Sequence, residues 1–340
     1  MKKKITIVAL FVSALSMAQE LSFTVRVYEQ DGKLAISNAP VCITLRKSSY
    51  TWKGDLPPDK IEKRTDETGS LLCAVDSNCG EASVRVCGLD GYYDSALVKI
   101  KGDVANGTGI LRGAITPKWT LSNDVVRVAM RRIGSPVSLF VKRECLELEK
   151  DMLDVCEGKF NYDLMMGDWL PPIGKGKIAD IEFIRLPHED FGDKSGCGGL
   201  VGRAGRDMVL MRFVGEGNGL IEHVSDPSET LRIRTAPEEG YIAEHSIWDM
   251  IDENLRWRRR DDKNMSIAFR IRTLRDGSGK IVSAYYGKIY GNPKLISLAR
   301  IVKGIDFCYY LNPRALDRNL EWNRRENLCT SPGKLRSLWP

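Results

Sequence analysis

Cys197 sits between Gly196 and Gly198, nine residues after His188, with Asp190 and Asp193 between them. A thiol, an imidazole and a carboxylate are the parts of a cysteine hydrolase, provided the histidine lies within hydrogen-bond reach and the thiol pKa is depressed. A second stretch, Gly174-Lys175-Gly176-Lys177, has the composition of a phosphate cradle. Such a cradle needs converging backbone N–H groups and a helix N-terminus immediately behind them. The residues that follow, Ile178-Ala179-Asp180-Ile181-Glu182-Phe183, alternate instead and predict a strand, so we read a lysine-tipped loop.

Other chemistry-bearing residues are less patterned. His188, His223 and His245 each have an acidic neighbour, yet no pair has the i, i+2 or i, i+4 spacing that lets one local element grip a metal. They are expected on the surface of strands and loops, and no metal or cofactor is expected. Adjacent carboxylates such as Glu238-Glu239 and Asp261-Asp262 point to opposite faces of a strand, which disfavours a glycosidase pair there. Aromatic rings beside charges are the better binding candidates. Trp257 lies among Arg256, Arg258, Arg259 and Arg260, and Trp169 follows Asp168. Exposed indoles stack on sugar faces, and neighbouring guanidinia suit acidic sugars or carboxylates. Arg232, Arg234, Arg270 and Arg272, on the polar faces of two expected strands, could serve the same end.

The chain that must position these residues opens with Met1-Lys2-Lys3-Lys4, an apolar run from Ile5 to Leu15, and Ser16-Met17-Ala18. This is the pattern of a secretory signal peptide over residues 1–18, cut after Ala18. The run is too short to span about 30 Å of hydrocarbon, and no other stretch approaches about 18 apolar residues, so no membrane span is expected. The expected location is secreted or periplasmic. Cleavage removes three lysines and lowers the net charge from +6 to +3. Residues 19–117 then carry −1 and residues 118–340 carry +4, without the basic excess of a nucleic-acid binder.

All nine cysteines lie after the cut, and in an oxidising compartment most should pair. Cys42 and Cys87 share an outward parity on two expected strands and are expected to bridge; Cys73 and Cys79 are expected to close the hairpin end.

From Leu21 the sequence alternates with a period of two, broken by turn signals at Asp31-Gly32, Asp66 to Gly69, Asn78 to Gly80 and Asp90-Gly91. Short strands repeat over residues 19–102 and predict a β-sandwich. The Gly-rich stretch 103–118 predicts a linker. Further strands are expected over 119–340: Val125 to Met130, Val137 to Val141, Ile178 to Leu186, Met208 to Val214, Leu231 to Thr235, Ile267 to Thr273, Ile281 to Ile289 and Phe307 to Leu311. Cys145 to Cys156 reads as a strand that then turns. Ser246-Ile247-Trp248-Asp249 has the form of a helix cap. Adjacent tyrosines at 285–286 and 309–310 are expected to place one ring inside and one outside. The fold class is therefore mostly β, two β-sandwich-like domains after a signal peptide.

Three N-terminal segments, "VRVYEQDGKLAISNAPVCITL", "RTDETGSLLCAV" and "ASVRVCGLDGYYD", resemble the carboxypeptidase-regulatory-like, transthyretin-type sandwich. The resemblance rests on Asp31-Gly32, Ala39-Pro40-Val41, Thr65 to Gly69 and Gly91-Tyr92, which are turn motifs. It implies a fold and a non-catalytic appendage of secreted and surface proteins. The C-terminal segments "YDLMMGDWLPPIGKGKIADIEF", "VSAYYGKIYG" and "YYLNPRALDRNLEWNRRENL" resemble uncharacterised secreted β-rich bacterial proteins, to which no activity is attached.

The function expected from these readings is a secreted, non-catalytic binding or structural protein. Its partners would be glycan or a cell-surface protein, held by Trp257, Arg256, Arg258, Arg259 and Trp169 of the C-terminal domain. The alternative is a secreted hydrolase using Cys197 and His188 or a carboxylate pair.

Overall fold

A computed structural model describes residues 21–47, 58–75, 79–95, 97–101, 125–147, 156–195, 201–224, 233–252, 254, 257–259, 265–298 and 301–333. The expected signal peptide, the linker, Cys197, Arg256 and Arg260 lie outside them. The described residues form strands and turns without a helix, so the chain is mostly β as its alternation implies. It divides into two compact units, residues 1–132 and 133–340.

The first unit contains β1 (Leu21–Glu29), β2 (Pro40–Lys47), β3 (Asp59–Arg64), β4 (Ser70–Val75), β5 (Cys79–Val86), β6 (Val98–Lys101) and β7 (Val125–Met130). A three-stranded sheet runs in the order β4-β1-β7 and a four-stranded sheet in the order β3-β2-β5-β6. Phe23, Val25 and Val27 of β1 share one buried core with Val41, Ile43 and Leu45 of β2 and Val84 and Val86 of β5. These are the odd or even members of each alternation, so each strand gives one face to the core. Thr65 pins the chain between β3 and β4: its hydroxyl donates to Ile36 O and accepts the Ala39 N–H, both at 2.9 Å. Asp66 caps the following turn, accepting from the N–H groups of Thr68 and Ser70 at 2.9 Å. Gly69, at φ +72, sits where a Cβ would meet Val27 O and Ile36 N.

One boundary is corrected. β7 was expected in the C-terminal domain, but it pairs parallel with β1, Thr24 opposite Val125 through Glu29 opposite Met130. Val126, Val128 and Met130 complete the first core. The Gly-rich stretch is therefore internal to the first unit, because the sandwich needs a third strand beside β1 to cover its apolar face.

The second unit begins with β8 (Val137–Glu147), β9 (Lys159–Asp163), β10 (Asp168–Trp169), β11 (Ile181–Arg185), β12 (Glu189–Ser195), β13 (Val201–Phe213) and β14 (Gly219–Val224). It continues with β15 (Glu244–Ile251), β16 (Trp257–Arg259), β17 (Met265–Arg275), β18 (Ile281–Tyr290), β19 (Lys294–Leu298), β20 (Ile301–Asn312) and β21 (Trp322–Asn327). One seven-stranded sheet follows the path β10-β9-β11-β13-β15-β16, with β12 also on β13; the other follows β14-β17-β18-β20-β8-β21, with β19 on β20. Their facing side chains form a large core including Tyr162, Phe183, Met211, Ile247, Phe269 and Phe307.

The outer face of the second sheet is covered too. Ile233, Ala236 and Leu320 pack over Ala268, Ala284 and Tyr286, and Trp322 packs over Leu139, Val141 and Tyr310. This corrects the tyrosine expectation: Tyr309 and Tyr310 are both fully buried, one on each face of β20. Alternation still holds, but a sheet covered on both sides turns both parities inward. The expected helix at Ser246 is corrected as well. Residues 244–251 are β15, with His245, Ile247 and Asp249 buried in a period of two. Of the expected strand Leu231 to Thr235, the described part is an extended cover piece with one bridge, Thr235 to Asn319.

Candidate functional site

The glycine–lysine loop connects β10 to β11, and its backbone donors point at carboxylates of the chain itself. Asp168 Oδ2 accepts the N–H of Lys175 at 3.0 Å, and Asp163 Oδ2 accepts those of Lys177 and Ile178, each at 3.1 Å. Gly174 and Gly176 donate to the carbonyls of Leu170 and Trp169. The donors a phosphate would use are occupied, as the missing helix in the sequence implied. Gly174 and Gly176 are required because a Cβ at either would run into the β10 backbone. The Pro171–Pro172 peptide before the loop is cis.

Beneath the loop is a buried ionic cluster. Arg272 donates from Nε and Nη2 to the two oxygens of Asp180, both at 2.9 Å, and from Nη2 to Asp163 Oδ1 at 2.7 Å. Both aspartates are 1 % exposed. Asp163 Oδ1 also accepts the N–H of Met165 and Met166, and Asp180 Oδ2 that of Leu164. Burial pushes both carboxyls up. At Asp163 the backbone donors and Arg272 outweigh it and hold the carboxyl below the usual 3.8; at Asp180 burial prevails over Arg272 and the carboxyl stays above it. Arg272 reaches them from a bulge in β17, at φ +51, where the register with β18 shifts between Ile271 and Leu274.

Arg270 and Arg234 are also committed, and Arg232 lies outside the described residues. Arg270 donates to the carbonyls of Gly217 and Glu238 and lies 4.4 Å from the centre of the Tyr241 ring. Arg234 pairs at 2.8 Å with Glu321, which in turn accepts the N–H groups of Gly134 and Ser135. They hold cover segments onto the sheet and do not face a ligand. Their alternation with apolar residues marks a polar strand face, and at Arg270 the cover segments bury that face.

Trp169 is corrected from an exposed stacking residue to a core one. It is 3 % exposed and packs edge-on against Tyr162, with ring centres 4.8 Å apart, and beside Phe183 and Phe307. Its polar neighbour Asp168 faces the loop, the opposite parity of the same strand. Trp257 and Arg259 lie on β16, the end strand of the first sheet, with Trp257 opposite Ile251; their side chains lie outside the described set. Arg258 is exposed and donates to Asp252 Oδ2 at 2.9 Å.

Of the histidines, His223 is exposed as expected, but His245 is 3 % exposed. Its Nδ1 is 2.6 Å from Glu222 Oε1 of β14 and its Nε2 is 3.0 Å from Asn292 Oδ1, so it ties β15 of one sheet to β14 of the other. His188 Nδ1 is 2.9 Å from Asp207 Oδ1, while Nε2 is buried without a hydrogen bond. β12 runs away from His188: its ladder extends from Glu189 opposite Arg206 to Ser195 opposite Val201. Six residues of strand cover about 20 Å.

Seven described cysteines, Cys42, Cys73, Cys87, Cys145, Cys156, Cys308 and Cys329, are free thiols, so neither expected bridge is formed. Cys42 stands opposite Arg85, which puts Cys87 one diagonal step away on the same outward face, as the parity argument required. Diagonal neighbours lie farther apart than the Cβ separation of about 3.8 Å that a disulfide takes up. Cys73 faces the opposite way, into the core of the first unit. Among the described residues no group of three or more metal-ligating side chains converges.

Described residues of the first unit line two clefts. One, of about 280 Å³, lies along β2 and is lined by Cys42, Cys87, Glu62 and Arg64. The other, of about 330 Å³, lies over β1 and β7 and is lined by Arg26, Arg127, Lys33, Tyr28 and Thr68. Sequence reasoning missed the second because β7 was assigned to the wrong domain, so Arg26 and Arg127 were never placed side by side.

The fold and sites define a β-sandwich protein whose ionic clusters in the second unit bind its own loops. No family model, curated protein or solved structure matches the chain.

Proposed function

We propose that the protein is an exported, non-catalytic binding protein. The observation that carries this reading is the commitment of the buried acid–base groups of the second unit. Asp163, Asp180 and Arg272 pair with one another and fix the loop after β10, and His245 joins two sheets. Groups used this way give a rigid scaffold, and a rigid scaffold suits recognition. The resemblance of the first unit to the carboxypeptidase-regulatory-like sandwich supports the same reading, since its three- and four-stranded sheets suit that fold. On the second unit the contact is placed at β16, an end strand carrying Trp257 and the exposed Arg258, with a glycan or a cell-surface protein as partner. The test is a screen of the protein without residues 1–18 against glycans and cell-wall fragments, comparing wild type with folded Trp257→Ala. Binding that weakens in the variant is expected; binding that is unchanged would remove β16 as the site.

A hydrolytic reading is kept for one observation. Asp207 lies 2.9 Å from His188 Nδ1 and orients the ring, the carboxylate–imidazole half of a catalytic triad. Turnover of ester, peptide or glycoside substrates that disappears in His188→Ala would establish it and displace the binding reading.

A further inference from the structure

We infer that the cleft over β1 and β7 is an oxyanion site that takes a carboxylate- or sulfate-bearing ligand of monosaccharide size. This goes beyond the proposed role of β16 and rests on different residues in a different unit.

The geometry begins with the parallel pairing of the two strands. Arg26 and Arg127 are direct partners in the ladder, so both side chains leave the same outer face of the three-stranded sheet, one strand spacing of about 4.8 Å apart at their origins. Both are exposed, and among the described residues neither has a carboxylate partner. Lys33, at φ +52 in the turn after β1, adds a third cation to the same cleft. Two nearby acids are used elsewhere: Glu29 pairs with Arg132 at 2.6 Å, and Asp66 caps its own turn. Like charges directly opposite on neighbouring strands repel and destabilise a sheet. Among the described residues no carboxylate relieves the repulsion, in contrast to Arg234 and Arg272 of the second unit.

An oxyanion between the two guanidinia relieves it. Each guanidinium offers a planar fork of N–H donors that matches the two oxygens of a carboxylate or sulfate. The rest of the cleft supplies the other half of a small-molecule site. Tyr28 gives an aromatic wall with a polar tip, Ala35 an apolar patch and Thr68 a hydroxyl. The volume, about 330 Å³, falls at the lower end of the range of ligand pockets, roughly 300–1,000 Å³. On either side of the Arg26–Thr24 rows the outer face carries exposed Leu72 and Val125, both opposite Thr24, so the sheet face stays uncovered next to the cleft.

The experiment is calorimetry and thermal melting of the full protein at low salt with four probes: inorganic sulfate, glucuronate, a sulfated monosaccharide and glucose. Wild type is compared with Arg26→Gln, Arg127→Gln and a control, Lys99→Gln, whose lysine pairs with Glu81 on the other sheet. The inference expects glucuronate or the sulfated sugar to bind wild type and the control equally, at least tenfold weaker binding in each arginine variant, and no binding of glucose. It also expects sulfate to raise the melting temperature of wild type more than that of either arginine variant, a comparison that cancels the general salting effect. Preference for glucuronate over the sulfated sugar, or the reverse, identifies the acid group. Because both arginines are exposed, their variants should melt no lower than wild type at low salt, having lost a repulsion. Lower melting in both variants without any probe, or equal binding in all proteins, would overturn the site. Neither result bears on Trp257.

Discussion

The carboxylate of Asp163 accepts the backbone N–H of Lys177 at 3.1 Å, and so fills from within the cradle that the glycine–lysine loop offers to a phosphate. Asp168 does the same for Lys175. Asp168→Ala should therefore free the Lys175 amide without unfolding β9 or β11. Hydrogen exchange is the measurement: faster exchange at Lys175, with the Ile181 to Arg185 strand unchanged, is expected. Nucleotide binding by the wild type that vanished in Lys175→Ala would show that the loop serves an external anion after all.

Arg272 is the only cation that reaches both Asp163 and Asp180 among the described residues. Replacing it with Met leaves two carboxylates that are 1 % exposed without their counter-charge, a change that costs about 3–5 kcal/mol when one side of a buried pair is removed. Arg272→Lys keeps the charge but loses the fork that spans the two aspartates, and should fall between wild type and Arg272→Met. Urea midpoints at neutral pH check the order; equal midpoints for Arg272→Met and wild type would mean that the cluster contributes nothing net.

Much of this architecture could be read from the sequence, for reasons that individual residues make plain. Period-two alternation located β1, β2 and β7, since each gives one parity to a core. The same signal was ambiguous wherever both parities are buried. The burial of both Tyr310 and Arg270 was hidden because the segments that cover them, β21 from Trp322 and the turn around Tyr241, carry no alternating apolar pattern. The ionic cluster was illegible because its members are 92 and 109 residues apart in the chain and meet only through a bulge at Arg272. The Arg26–Arg127 pair was hidden for a related reason: a parallel pairing leaves no hairpin turn to announce it.

Acid sensitivity follows from Asp163. Its folded carboxyl lies below the ordinary 3.8, so the stabilisation it brings is present above that value and is lost as the pH falls through the lower folded one. Asp180 has the opposite sign, its raised carboxyl becoming a growing cost as the pH rises past 3.8. Asp163→Asn should thus differ from wild type most at neutral pH, with the gap in melting temperature closing below pH 3.8. A gap that stays constant down to the acid limit would assign the difference to hydrogen bonding alone.

The thiols should separate by reactivity. Burial pushes Cys73 up to about 11 and Cys308 up to about 12, and also raises Cys87, Cys145 and Cys156. Alkylation requires the thiolate, so native Cys73 and Cys308 should resist iodoacetamide at pH 8 and react once unfolded. Cys145, which is exposed, should label well before Cys308, its diagonal neighbour across the β8–β20 ladder. Timed labelling with peptide mass mapping gives the order. Early modification of Cys73 would contradict its placement in the first core.

Trp169 gives the sharpest contrast between a binding ring and a core ring. It packs against Tyr162, Phe183 and Phe307 at the centre of the second unit, and its indole N–H is buried without an acceptor. Removing the ring should cost about 3–5 kcal/mol, the usual range for a buried aromatic cut back to alanine. Trp169→Phe should cost much less, because the lost indole N–H makes no hydrogen bond and a phenyl ring still fills most of the space between the two sheets. Equilibrium unfolding of both variants, followed by the glycan screen at a temperature where each is folded, checks this. The expected result is a large stability loss in Trp169→Ala with ligand binding intact in Trp169→Phe. A folded, fully stable Trp169→Ala that had lost binding would return the residue to the surface, where its neighbour Asp168 had first suggested it belonged.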